Sequence, residues 1–226
     1  MRYNRLTDLG LTEEQIRSNL MLAGEKVGEQ MKTAMSPADA KEWFGATPPD
    51  LSLIARARAS GGGSGADWLY TYLRSYYRDA SRPTGWNNAV FANVGMPHVF
   101  WELQGARGAT IEEVMEVKDA TSGRVAGFVR VSTTYDHNGV ASEKTEQVTG
   151  HDAQPGRKIK FGAAQGGKLD VASYDAAVGD LVAYLTYMAD PSAHTRTRVG
   201  VWVLLFLAIF AAAAWHLNRV YWRDVH

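Results

Sequence analysis

Few residues of this 226-residue chain have a type and spacing that could support chemistry. The chain contains no cysteine, which excludes disulfides, zinc ribbons, iron–sulfur clusters and thiol catalysis. Its six histidines are scattered without the spacing that metal ligands show. The glycine-rich stretch Ser60–Gly65 lacks the Gly-Lys-Ser/Thr of a phosphate-binding loop. Glu112, Glu113 and Glu116 are typical of a solvated face, and no nucleophile is paired with a base.

One candidate ligand, Met96, lies in a long stretch without helix or strand periodicity. The segment 78–97 is punctuated by prolines, glycines and asparagines. An irregular segment of about twenty residues usually has a function or wraps around something. Gly95 lets the backbone approach closely, and Pro97 stiffens the chain after Met96. A methionine taken alone most often fills a core, and His98 is an alternative ligand by proximity.

The elements that must position this loop are predicted to be mostly helices. Helix starts are indicated by five capping positions, namely Thr12 (in a capping box with Gln15), Ser36, Asp50, Asp67 and Ser173. The Asp50 helix is expected over 51–58, and the Asp67 helix through Tyr77. Strand formers and turns predict a small β insertion at about 112–168. Seven tryptophans, 22 glycines and a thin core suggest that a large planar cofactor fills the middle.

The carboxy-terminal segment has the pattern of a membrane span. Val199–Leu217 is apolar except for His216, and at about 1.5 Å per residue it would extend about 28 Å, close to the thickness of a bilayer core. Aromatic residues and arginines flank the run, namely Trp202, Trp215, Tyr221 and Trp222, with Arg196, Arg198, Arg219 and Arg223. A buried core helix is the alternative. We predict a soluble domain at 1–195 and a membrane anchor with a short tail at 196–226.

The charge balance argues against one class of partner. Lys and Arg total 24, Asp and Glu total 24, and the net charge is therefore zero. A protein that binds nucleic acid as its main partner needs a basic excess, so we predict no nucleic-acid partner. A single span cannot form a transport path by itself.

Three motifs, together with their order, give the chain a family resemblance. They are M-R-Y-N-R-L at Met1–Leu6, P-P-D-L-S-L-I-A-R-A-R at Pro48–Arg58 and G-M-P at Gly95–Pro97, followed by the single carboxy-terminal span. The combination resembles cytochrome c1, the haem subunit of the ubiquinol–cytochrome c reductase or bc1 complex, and most closely its proteobacterial branch. The resemblance covers nearly all of this chain. It implies a mainly α, c-type cytochrome-like domain with long loops, and haem c as the cofactor.

The same resemblance implies roles for particular residues. Met96 matches the sixth iron ligand, and a soft, neutral thioether stabilises ferrous iron. The family often has further prolines after this methionine, whereas His98 and Val99 follow here. Arg58 matches an arginine that pairs with a haem propionate, with a solvated helix-end arginine as the alternative. Residues expected to pack around the haem are Pro49, Leu51, Ile54, Trp68 and Tyr3; for Trp68, ordinary core packing is the alternative.

The resemblance also implies partners and a location. The partners are cytochrome b, a Rieske iron–sulfur protein that donates one electron, and a soluble cytochrome c that accepts it. The location is the bacterial cytoplasmic membrane, crossed once, with the soluble domain on the periplasmic side. The family's C-x-x-C-H haem-attachment motif precedes the M-R-Y segment and is absent from this sequence, so we expect a missing amino-terminal segment. The alternative is a tail-anchored, non-enzymatic assembly or scaffold protein, or a degenerate relative that has lost haem.

Overall fold

The structure is a computed structural model that describes residues 1–118, 125–149 and 154–223. After a 3₁₀ helix at Tyr3–Leu9, the helices are α1 (Glu13–Asn19), α2 (Pro37–Phe44), α3 (Ile54–Ala57), α4 (Gly65–Leu73), α5 (Trp101–Gln104), α6 (Val171–Ala189) and α7 (Ala193–Trp222). The strands are β1 (Tyr76–Arg78), β2 (Trp86–Asn88), β3 (Ala109–Lys118), β4 (Val125–Tyr135), β5 (Ala141–Val148) and β6 (Gly156–Phe161). The chain forms two compact units: a first unit of Met1–Ile54 with Leu185–His226, and a second unit of Ala55–Tyr184.

The first unit is held together by backbone hydrogen bonds and capped helices. The Tyr3 amide donates to the Glu29 carbonyl at 3.1 Å. The predicted capping box of Thr12 and Gln15 is present at the start of α1, and the predicted Ser36 cap opens α2. The helix expected from Asp50 is much shorter than predicted, because the Asp50 carboxylate accepts the Ser52 amide and forms a turn ahead of α3.

Within the second unit, the helix expected from Asp67 through Tyr77 begins and ends earlier. Ser64 caps α4, and its hydroxyl accepts the Asp67 amide at 3.1 Å. The chain leaves the helix after Leu73 because Tyr76 and Tyr77 pair with β2 in an antiparallel hairpin. Hydrogen bonds between β1 and β2 thus replace the helical hydrogen bonds that the periodicity of the sequence had predicted.

The prediction of a mainly α protein is wrong. Helices account for 41% and strands for 22% of the structure. The β insertion is a four-stranded antiparallel sheet in the order β5-β4-β3-β6, and it begins at Ala109. Two of its strands are 10 and 11 residues long. The sequence pattern understated this sheet because its exposed strands carry many charged residues, which blur the alternation that normally reveals a strand.

The last two helices differ from the sequence prediction in their bounds. Helix α6 begins earlier than predicted, and α7 extends beyond the apolar run on both sides. The Asp170 carboxylate accepts the Ser173 amide at 3.0 Å, so Asp170 rather than Ser173 lies ahead of α6. Within α7, the segment Thr195–Trp222 contains an 18-residue window with a mean hydropathy of 2.1, and the side chains of this window are not buried within the chain. It is the one helix in the described residues with the length and composition to cross a membrane. This exposed apolar surface fits a single-pass membrane protein and argues against a buried core helix.

Candidate functional site

Four rings of the second unit form a continuous stack, here called the aromatic ladder: Trp68, Tyr72, Tyr76 and His98. Trp68 and Tyr72 lie one helical turn apart on α4 and stack with centroids 4.8 Å apart. Tyr72 meets Tyr76 edge to face at 5.4 Å, and Tyr76 stacks on His98 at 4.6 Å. The ladder therefore connects α4 and β1 with the loop that carries Met96.

Two tyrosine hydroxyls of the ladder contact Met96, one at its side chain and one at its backbone. The Tyr72 hydroxyl donates to the Met96 sulfur at 3.6 Å, and the Tyr76 hydroxyl lies 3.3 Å from the Met96 carbonyl oxygen. The two hydroxyls are 2.7 Å apart. Met96 is 39% exposed, whereas both tyrosines are buried. The thioether is thus fixed from the interior side while part of the side chain faces outward.

Two hydroxyl hydrogens must serve three contacts in this arrangement. Burial raises the pKa of both Tyr72 and Tyr76, so both phenols stay protonated at physiological pH. If Tyr76 donates to Tyr72, the Tyr72 hydrogen is free to point at the Met96 sulfur. If Tyr72 donates to Tyr76, the Tyr76 hydrogen points at the Met96 carbonyl instead. The network therefore has two alternative arrangements that differ in the hydrogen bond to sulfur.

Two buried asparagines give the Met96 loop its shape. Asn88 is fully buried; its amide donates to the Tyr72 carbonyl, and its side-chain oxygen accepts the amides of Val90 and Phe91. The Asn87 side-chain oxygen accepts the amide of Asn93, which has a positive φ of 60°. Side chains thus satisfy backbone groups that no helix or sheet satisfies here. The loop that the sequence predicted to be irregular has a defined conformation.

His98, the alternative ligand, is enclosed. Only 1% of its surface is exposed, and its ring lies between Tyr76 and an edge-on contact with Trp86 at 4.9 Å. Burial lowers the pKa of His98 to about 4, although the nearby Gln104 side chain acts in the opposite direction. Neither ring nitrogen has a hydrogen-bond partner among the described residues. Met96 rather than His98 therefore presents a donor atom toward the surface.

Arg58 and Trp68, both predicted near a haem, are in contact. The Arg58 guanidinium lies 4.4 Å from the centre of the Trp68 ring and 6.0 Å from that of Phe91. Because Trp68 stacks on Tyr72, these contacts lead from Arg58 to the sulfur of Met96. No carboxylate pairs with Arg58 in the described part of the chain, so its charge is available to an anionic group.

The other predicted site residues belong to the first unit. Leu51 and Ile54 are joined by a hydrogen bond from the Ile54 amide to the Leu51 carbonyl at 3.2 Å. Pro49 and Leu51 are exposed, whereas Ile54 is half-buried. Tyr3 is buried against the backbone of Gly24, where a Cβ atom would lie 3.0 Å from the tyrosine ring. Leu51 and Ile54 thus share one turn, and Tyr3 has the environment of a core residue.

The residues around Met96 do not form a metal site from protein side chains alone. The described residues contain no group of three or more His, Cys, Asp or Glu side chains that could hold a metal ion. A soft thioether is a donor that haem iron accepts, and Met96 would be the residue in this loop to offer one. Exposed apolar residues in the same stretch, such as Phe91 and Val99, would suit a planar apolar group. These residues offer no side chain for a thioether bond to haem, because the sequence contains no cysteine.

Sequence reasoning missed the hydroxyl groups around Met96. The helix predicted from Asp67 through Tyr77 includes both Tyr72 and Tyr76, whereas Tyr76 lies on β1 and both hydroxyls contact Met96. The spacing of Trp68, Tyr72 and Tyr76 was a usable signal, since three aromatic residues with two polar tips rarely fill a core without partners for those tips.

Comparison with known proteins places the chain among close relatives. No protein-family model matches it. It is 37% identical to a protein of Nitrosomonas europaea named ammonia monooxygenase gamma subunit, over the whole chain and 75% of that protein. It is 37% identical to cytochrome c1 of Allochromatium vinosum, over the whole chain and 76% of that protein. It is 26% identical to cytochrome c1 of Rhodospirillum rubrum, over 99% of the chain and 73% of that protein. The chain therefore belongs to the cytochrome c1 family.

Proposed function

We propose that the chain is the electron-transfer subunit of a ubiquinol–cytochrome c reductase, accepting one electron from a Rieske iron–sulfur protein and donating it to a soluble cytochrome c through haem c. The observation that carries the proposal is the thioether of Met96, held by the Tyr72 hydroxyl and partly exposed, in a chain with relatives named cytochrome c1. Cytochrome b is the proposed membrane partner. The proposed location is the bacterial cytoplasmic membrane, with the part before α7 on the periplasmic side.

When bound, haem c supplies one-electron chemistry at its iron. Met96 offers a soft, neutral sulfur that favours the ferrous state, and the Tyr72 hydroxyl holds that sulfur in place. Arg58 offers a guanidinium for a propionate, because it contacts aromatic rings and forms no salt bridge among the described residues. Trp68, together with Pro49, Leu51, Ile54 and Tyr3, is proposed to exclude water around the ring. The protein needs no acid–base group for this transfer.

A second candidate function is favoured by one observation. These 226 residues contain no cysteine, so the thioether bonds of haem c would need cysteines outside this sequence. A tail-anchored, non-enzymatic assembly protein, or a relative that has lost haem, would need neither those bonds nor an iron ligand. The two candidates differ in a measurable property, the presence of haem in the protein made by its own cell.

The first experiment is a pyridine haemochrome spectrum of the protein purified from its native membranes. The proposal predicts one haem c per chain, whereas its absence would favour the assembly protein. The second experiment is a redox titration of Met96→Leu, which keeps size and apolarity but removes the sulfur. The potential should fall by more than about 100 mV, since axial ligands set potentials over a wide range.

Met115→Leu is the matched control for this substitution. Met115 lies on β3 and is 45% exposed, similar to Met96, but it has no place in the aromatic ladder. The potential of this variant should equal that of the parent. Retention by Met96→Leu of both the parent potential and the near-infrared sulfur–iron band would show that another residue is the ligand.

A further inference from the structure

The second unit contains a cleft that shares no residue with the proposed haem site. Its volume is about 510 Å³, within the range of small-molecule sites. It lies among the carboxyl end of α4, the segment that follows α5, and the residues from the end of β6 into α6. The lining residues that matter for the argument are Arg74, Arg107, Phe161, Ala164 and Asp175.

Arg107 brings a half-buried positive charge to this cleft. Its Nε donates to the Tyr76 carbonyl at 2.9 Å, its Nη2 donates to the Arg74 carbonyl, and its guanidinium lies 4.0 Å from the centre of the Phe161 ring. Burial lowers the pKa of Arg107 to about 10, which still leaves the group protonated at neutral pH. Its other terminal nitrogen, Nη1, has no hydrogen-bond partner in the described part of the chain.

The acidic residue nearest to this charge is already engaged. Asp175 accepts two hydrogen bonds from Arg74, one at each carboxylate oxygen. Arg74 and Asp175 therefore neutralise one another, and Asp175 acts on Arg107 only through its longer-range attraction. A half-buried cation that lacks a close counter-ion attracts an anion more strongly than a fully solvated cation does.

We propose that this cleft binds a small oxyanion, the phosphate or carboxylate group of a small molecule, with Arg107 Nη1 as the donor to its oxygens. Guanidinium groups favour such anions because they donate in a plane that matches the oxyanion. Asp170 also lines the cleft and adds a negative charge, which favours a singly charged ligand over a doubly charged one.

The test is a calorimetric titration of the full-length protein in detergent with inorganic phosphate at mildly acidic pH, where the monoanion dominates. A parallel titration uses acetate at the same ionic strength. We expect saturable binding at one site per chain. Binding of phosphate alone assigns a phosphate-bearing ligand, and binding of acetate alone assigns a carboxylate. The absence of saturable binding by either anion overturns the proposal.

Variants locate the binding in the cleft. Arg107→Met should weaken binding at least tenfold. Arg78→Met is the matched control, because Arg78 also lies over a ring, 4.8 Å from the centre of Trp86, but does not line the cleft. Its affinity should stay within twofold of the parent. Equal affinity of Arg107→Met and the parent overturns the proposal.

A second variant keeps the test decisive if Arg107→Met does not fold. Ala164 is an exposed residue of the lining, and neither its backbone nor its side chain is needed for the contacts of Arg107. Ala164→Glu introduces a carboxylate that competes with the ligand, and it should also weaken anion binding at least tenfold. Undiminished binding by this folded variant rules out the cleft as the site.

Discussion

Removal of one oxygen atom tests the role of the aromatic ladder at Met96. Tyr72→Phe keeps the ring that stacks on Trp68 but deletes the hydroxyl that donates to the Met96 sulfur. The same change removes the 2.7 Å contact with the Tyr76 hydroxyl. The Tyr76 hydroxyl is not left without a partner, because it can still donate to the Met96 carbonyl oxygen at 3.3 Å.

The size of both expected effects follows from these contacts. One hydrogen bond is lost on balance, because the Tyr76 hydrogen can still bond to the Met96 carbonyl. A hydrogen bond contributes about 1 kcal/mol net, so the free energy of unfolding should fall by about 1 kcal/mol. A hydrogen bond to a ligating sulfur withdraws electron density and so favours ferrous iron. One such bond is worth about 1 kcal/mol at most, and because 1.4 kcal/mol corresponds to about 59 mV for one electron, the potential should fall by about 10–40 mV.

The assays are urea unfolding and a redox titration of the haem-containing protein. Tyr70→Phe is the control, since Tyr70 lies on the same helix and its hydroxyl makes no hydrogen bond within the described residues. The control should match the parent in both measurements. An unchanged or raised potential in Tyr72→Phe, together with unchanged stability, would refute the assignment of Tyr72 as the donor to the Met96 sulfur.

Three further predictions concern the fold that carries this site. Asn88→Ala removes three buried hydrogen bonds and should lower the free energy of unfolding by about 3 kcal/mol in urea unfolding. Gly65→Ala would place a Cβ atom 1.7 Å from the Ala55 carbonyl oxygen and should cost about 2–3 kcal/mol, whereas Gly61→Ala meets nothing within 4 Å and should be near neutral by thermal unfolding. Deletion of residues 199–226 should release the protein from membranes without detergent; continued fractionation with membranes in the absence of partner subunits would contradict a single anchor.

The part of the site that depends on local signals was predictable from the sequence. Capping residues located α1 and α2, and the G-M-P motif directed attention to Met96 in an irregular loop. The sequence could not show that buried asparagines fix that loop, because Asn87 and Asn88 look like ordinary turn residues until their partners are known. Propensity also failed at Tyr76, where pairing with Asn88 outweighs the helical periodicity that continues from α4.

The mainly α prediction failed for a related reason. Half of the residues of β3 and nearly all of those of β5 are exposed, so their sequences lack the strict alternation of apolar and polar residues that reveals a half-buried strand. Pairing across four strands, rather than the composition of any one of them, determines their structure. Such long-range pairing leaves little trace in a single sequence.

Tyr76 contacts both Met96 and Arg107, the residues on which the two proposed sites of the second unit depend. Its hydroxyl contacts the Met96 carbonyl, and its own carbonyl accepts the hydrogen bond from Nε of Arg107. If Arg107 also binds the proposed anion, substituting it removes both the ligand contact and the bond to Tyr76. Only a variant such as Ala164→Glu, which leaves the Arg107–Tyr76 bond intact, can separate occupancy of the cleft from the position of Met96.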